Sequence, residues 1–390
     1  MKTYKKERGA VSLFIVIFAA LLITTVTISF IHLMLNDQQQ ATANDLSQSA
    51  YDSAKAGVED AKRAILRYQV ACSSGDAAGI AACAKTAADI NSSICNQGLV
   101  DIGINPKDSE VKVQQTNDSS ASALDQAYTC VKIKLATSDY IGTLGADSSK
   151  VIPLKGTGDF NTVKLEWYNS ANLPSPNNAD VSLIGISDPL PLLHQLSGSS
   201  GWPANRPPIM RTQLMQFGSG FSLSDFDDVK NGQSDANTLF LYPTSGVTAP
   251  TTPFSGNDTR KTPTGAPRPT TCISSLGSGG YACSVTINLP DPINAGSRTA
   301  YLRLGALYNA ANYRVTLLNS AAPVTFDAVQ PEIDSTGRAN DLFRRVSSRV
   351  ELTDINFAYP TASVDISGNF CKDFLVTDNP LDYKNTSCTP

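Results

Sequence analysis

Hydrophobic and polar positions change their pattern twice along the chain. Residues 10–35 (AVSLFIVIFAALLITTVTISFIHLML) carry no formal charge. As a helix rising 1.5 Å per residue this run is about 39 Å long, enough to cross a bilayer core of roughly 30 Å with room to tilt. Over residues 36–68 the pattern becomes one-sided. Leu46, Ala50, Ala54, Val58, Ala61 and Ile65 recur at steps of three or four, with Asp45, Gln48, Asp52, Lys55, Glu59, Lys62 and Arg63 opposite them. That spacing predicts an amphipathic helix. No proline, and no glycine except Gly57, separates it from the apolar run, so one helix of about 88 Å is expected over residues 10–68. Glu59 and Arg63 stand at i,i+4 with the acid on the favourable side and predict an ion pair.

Beyond residue 69 the period shortens towards two. A short helix is expected at 76–87 and strands at 128–135, 163–168 (VKLEWY), 209–217 (IMRTQLMQF) and 238–242. Further strands are expected at 282–289, 300–307, 313–318, 324–329 and 345–354. In the last of these, Val346, Ser348, Val350 and Leu352 alternate with Arg345, Arg349 and Glu351. Ser335-Thr336-Gly337 reads as a turn between strands, beside the arginine pair Arg344 and Arg345. Residues 243–271 are crowded with Pro, Thr and Gly and read as an exposed loop or linker within a β-rich body spanning residues 69–390.

The leader, residues 1–9, carries Lys2, Lys5, Lys6 and Arg8 against one acid, Glu7. By the positive-inside rule it keeps the N-terminus cytoplasmic and exports everything after Leu35. The apolar run is longer than that of a secretory signal and runs on into further helix-forming sequence. Charged residues make up only 17% and the net charge is −4, which excludes nucleic-acid domains built on a basic stripe. The chain reads as a single-pass protein of the inner, or cytoplasmic, membrane with its body outside.

Eight cysteines in an exported chain read as disulfides. Proximity pairs Cys272 with Cys283 and Cys371 with Cys388. The first four allow three connectivities, of which Cys72–Cys83 with Cys95–Cys130 is favoured. With no C-x-x-C and two histidines, a zinc site is not expected. His32 lies within the apolar run, and His194 among leucines reads as a packed structural residue. No P-loop, dinucleotide fingerprint, H-E-x-x-H or G-x-S-x-G occurs, so neither catalytic residues nor a cofactor are expected. Asp225, Asp227 and Asp228 near Gly232 could hold Ca²⁺, although their spacing is not that of an EF-hand and a solvated turn is favoured. Trp202 with Arg206 would make a contact hot spot if exposed. The competing reading has Trp202 plugging the edge of a sheet.

The basic leader ending in Arg8-Gly9, the apolar span, and the run of Ala50, Ala54, Ala56, Gly57, Val58, Glu59 and Ala61 together resemble the N-terminal module of PilX-type minor pilins of type IV pili and their K-type pseudopilin relatives. The resemblance covers residues 1–70. It implies an α+β, pilin-like fold whose late strands form an antiparallel sheet on the long helix. It also implies cleavage between Gly9 and Ala10 by a prepilin peptidase and methylation of the Ala10 amine. Cys371–Cys388 resembles the disulfide-bounded region of pilins. Major pilins carry a glutamate at the fifth position after the cleavage site, which is Phe14 here; its absence points to a minor, tip-proximal subunit. Ala19, Ala20, Thr24, Thr25 and Ser29 would let span helices pack closely against other pilin subunits. The implied partners are those subunits, the assembly machinery, the membrane, and a host-cell surface or DNA; adhesion, motility and DNA uptake are the functions such filaments serve. The alternatives are a type II secretion pseudopilin and, from another class, an unprocessed signal-anchored adhesin. An exported hydrolase would need a constellation around His194.

Overall fold

The computed structural model describes residues 10–73, 75–106, 109–113, 125–175, 179–185, 202–217, 236–245, 251–253, 268–277, 279–294 and 299–352. These form a long apolar N-terminal helix and a β-rich body of mostly antiparallel sheets, an α+β architecture. The chain divides into two compact units, Met1–Ile133 with Glu332–Ser348, and Lys134–Pro331 with Arg349–Pro390.

The first unit is organised by helix α1 (Ala10–Ser73), 64 residues long. It outlasts the expected end at residue 68 by a turn. Ala50, Ala54, Val58, Ala61 and Ile65 are buried, joined by Ser53 and Ala64, while Leu46 is half-buried. The ion pairs on its outer face are Lys62–Glu59 (2.7 Å) and Arg63–Asp60 (3.1 Å), in place of the expected Glu59–Arg63. Arg63 therefore bonds three residues back, leaving Glu59 to Lys62. Helix α2 (Ala77–Ile90) opens on Asp76, whose carboxylate accepts the Gly79 N–H at 2.9 Å as an N-cap. Cys72 and Cys83 are bonded, tying the last turn of α1 to α2.

A four-stranded sheet belongs with this helix. Its order is β1 (Val111–Lys112), β2 (Gln126–Thr137), β14 (Phe326–Ala339) and β15 (Leu342–Arg349). Ser335-Thr336-Gly337 is not the expected turn: all three residues lie inside β14, and the chain reverses at Asn340–Asp341, where Asn340 takes the left-handed φ of 49°. Gly337 is there for a different physical reason. A Cβ built on it would overlap the Ala50 carbonyl oxygen and the Ala54 nitrogen, and would lie 2.9 Å from the Ala54 Cα. On the helix side a Cβ on Gly57 would meet side chains of the sheet: it would overlap the Ser335 hydroxyl and stand 2.8 Å from a Val131 methyl and 3.1 Å from the Tyr128 ring. Strand and helix backbones therefore meet almost directly.

Beyond the two residue pairs made by β1, the outer edge of β2 is closed by a single residue. The buried Asn96, in the left-handed region at φ 65°, donates its N–H to the Val131 carbonyl at 2.9 Å. Its side-chain oxygen accepts the Val131 N–H at 2.8 Å, and its amide nitrogen donates to the Thr129 carbonyl at 3.2 Å. Cys95, bonded to Cys130, fixes the same spot covalently. Asparagine suits this place because it tolerates left-handed backbone and carries both a donor and an acceptor.

In the second unit, one sheet runs β13 (Ala322–Val324), β12 (Ala311–Asn319), β5 (Phe160–Asn169), β10 (Tyr281–Ile293), β8 (Thr251–Pro253), with β3 (Tyr140–Leu144) also on β12. The other runs β4 (Ser149–Pro153), β11 (Thr299–Leu307), β6 (Ile209–Phe217), β7 (Ala236–Thr244), β9 (Arg268–Thr271). Alternate residues of both sheets, among them Leu165, Val285 and Val315 from the first and Leu214, Leu241 and Leu302 from the second, form one contiguous core. Two parallel edge strands, β8 on β10 and β9 on β7, come from the stretch expected to be loop. The late strands do not all wrap the helix: β14 and β15 join the first unit's sheet, and β10 to β13 build the second unit. Cys272 is bonded to Cys283, and Leu276 between them is buried.

Two measurements check this account. Gly337→Ala should lower unfolding stability by roughly 2–3 kcal/mol or more by overpacking, whereas Gly305→Ala, where a Cβ meets nothing closer than 3.7 Å, should cost far less. Asn96→Ala should cost about 2–3 kcal/mol in urea unfolding, because it strands the Val131 N–H and strains a left-handed alanine.

Candidate anchoring segment and neighbouring surfaces

Every large apolar side chain described between Leu13 and Leu35 is exposed, with Phe14 at 72% and Met34 at 73%. The segment has no covered side and no charged residue, so its surface is apolar all round. Water is a poor solvent for such a surface, and a bilayer is a good one. It is the one helix among the described residues long and apolar enough to cross a membrane. Four of its hydroxyls are satisfied within the helix. The Thr24, Thr25, Thr27 and Ser29 hydroxyls donate to carbonyls three or four residues back at 2.7–3.1 Å. That removes the cost of leaving hydroxyls unpaired in hydrocarbon.

Ala10 is the first helical residue, and Gly9 lies outside the described residues. Ala19 and Ala20 are exposed on the helix, as are Thr24, Thr25, Ser29 and His32. Cys371, Cys388, His194, Asp225, Asp227 and Asp228 lie outside the described residues. Among the described residues no group of three or more His, Cys, Asp or Glu stands where it could hold a metal ion.

Trp202 is 4% exposed, which removes it as an exposed hot spot. It donates its indole N–H to the Pro207 carbonyl at 3.2 Å, stacks on Tyr308 at 5.1 Å and lies under the Arg206 guanidinium at 5.1 Å. Trp167 donates to the neighbouring Pro208 carbonyl, and Tyr168 to the Ala204 carbonyl. Asn309 donates to the Pro203 and Arg206 carbonyls at 2.8 Å each. The Trp202–Pro208 segment is thus lashed down by side chains from β5 and from the turn after β11. Burial pushes the Tyr168 phenol up to about 12.

The charged clusters are structural in form. Arg338 grips Glu110 through two bonds of 2.9 Å and Asp125 at 3.0 Å, and Lys112 reaches Asp125 at 2.9 Å. Lys112 first, then Arg338, holds the Asp125 carboxyl below its ordinary value. Arg345 pairs with Asp334, and Arg344 donates to the Ser47 hydroxyl of α1 at 2.8 Å. Two features of the helix–sheet contact carried no advance signal. One is the Gly337 approach; the other is the Tyr128 hydroxyl, which donates to Asp60 at 2.8 Å. A tyrosine facing an acid 68 residues away leaves no periodic trace.

Compared with known proteins, the chain matches no family model, no curated protein and no solved structure.

Burial first, then the bond to Asp60, raises the Tyr128 phenol well above its ordinary value. Burial likewise raises Tyr140 and Tyr313. A raised folded value contributes stability that is complete below about pH 10 and is lost as pH climbs through the folded value. Phenolate absorbance should therefore rise in two stages on alkaline titration. Exposed tyrosines should ionise first, and the buried group only together with the loss of near-ultraviolet dichroism.

Proposed function

We propose that this chain is a membrane-anchored, non-enzymatic subunit of minor-pilin type. Its residues 10–35 reside in the bilayer and then pack among the helices of like subunits in a filament. The observation that carries the reading is the continuity of α1: a fully exposed apolar segment runs without a break into a helix buried under a sheet.

In this mechanism the bilayer stores the segment, and helix–helix contact replaces lipid contact when the subunit is drawn out. Ala19, Ala20 and the internally bonded Thr24, Thr25 and Ser29 let backbones approach closely at little polar cost. Phe14 offers no carboxylate to a neighbour's N-terminal ammonium, and that supports a minor, tip-proximal place over a bulk filament subunit. The β-rich body would face outward, presenting a surface to a host cell or DNA, or priming assembly.

N-terminal sequencing with intact mass of the protein from its native membrane tests the reading. A start at Ala10 with a methylated amine is the expected result. A start at Met1 would replace it with the signal-anchored adhesin, and a start beyond Leu35 would make the span a removed signal. Neighbouring secretion-pore genes together with an Ala10 start would favour the pseudopilin.

A further inference from the structure

Between the apolar segment and the packed part of α1 lie ten residues, 36–45 (NDQQQATAND), with no hydrogen bond or ion pair to any other element among the described residues. All ten are exposed. Among the described residues their side chains make one hydrogen bond, from the Thr42 hydroxyl to the Gln38 carbonyl at 2.9 Å, and no ion pair. Burial begins only at Leu46 and Ser47 and is complete at Ala50.

Sequence chemistry makes this stretch the weakest of the helix. Asn36, Asp37, Thr42, Asn44 and Asp45 are poor helix formers, because their side chains compete for backbone groups. No i,i+4 pair of opposite charge compensates, since the only charges are Asp37 and Asp45. In water a helix that is polar all round, without such pairs, has no packing to hold it. On one side the bilayer enforces helix, because an unpaired backbone group in hydrocarbon is costly. On the other side the Gly337 contact with Ala50 and Ala54 enforces it. Residues 36–45 have neither constraint.

We propose that residues 36–45 are a conformational joint, a segment that opens to non-helical backbone while the apolar segment below and the packed helix above stay intact. Opening a window inside a helix whose propagation is near neutral costs about one nucleation step, a factor of about 10⁻³. The joint lets the packed helix and its sheet reorient relative to the anchor without breaking a tertiary contact. It depends on the exposure and chemistry of this stretch and not on the filament reading, since a chain beginning at Met1 would carry it equally.

Hydrogen exchange with mass spectrometry on the full-length protein in detergent micelles tests the proposal. Amides of residues 37–45 should exchange at least tenfold faster than those of residues 54–65. Two engineered i,i+4 pairs, Gln39→Glu with Ala43→Lys and Gln40→Glu with Asn44→Lys, should slow that exchange by roughly two- to fivefold. Ala41→Pro should leave the thermal unfolding of the body unchanged, because no packed residue depends on this turn. Exchange in residues 37–45 as slow as in 54–65 would overturn the joint. So would a fall in the body's melting temperature on Ala41→Pro, which would show that the stretch bears tertiary load.

Discussion

The near-contact of two backbones, strand β14 at Gly337 and helix α1 at Ala50 and Ala54, is the constraint on which the first unit depends. Side-chain packing between a helix and a sheet usually leaves room for a slip of one residue. Here a Cβ on either glycine would have no space, so the register of helix against strand is set by the absence of atoms. The same fit accounts for the small residues of the buried stripe, where Ala50, Ser53, Ala54, Gly57 and Ala61 stand in place of larger aliphatics. Such a stripe gains less from hydrophobic burial per residue than leucine would. The unit compensates with covalent and polar ties: Cys72–Cys83, Cys95–Cys130, the three bonds of Asn96, and Tyr128 on Asp60.

The second unit follows the opposite strategy. Its two sheets present Leu, Val and Ile on alternate residues, and large aromatics such as Trp167, Phe160 and Tyr313 fill the space between them. Polar side chains such as Asn309 hold irregular segments down.

What could be read in advance divides along the line between local and non-local physics. The apolar segment and the Ala/Val/Ile stripe of α1 were legible, because lipid compatibility and a period of 3.6 are written into consecutive residues. Strand β6 was legible to the residue, Ile209 to Phe217, because a run of apolar and β-prone residues is written into consecutive positions. Gly337 was misread as a turn because glycine looks the same whether it supplies positive φ or an empty Cβ position. The strands Thr251–Pro253 and Arg268–Thr271 were invisible, since their pairing partners and not their own side chains make them strands. For Trp202 the packed reading was the favoured one, but what covers it was not legible, because that cover comes from Tyr308, more than a hundred residues away.

The bond between Cys72 and Cys83 has a mechanical consequence. Force applied to the anchor travels up α1 and arrives at a last turn covalently fastened to α2, while Cys95–Cys130 fastens the next segment to the middle of β2. Whatever traction does to the turns nearer the anchor, the last turn of α1 stays fastened to α2 and cannot leave the body.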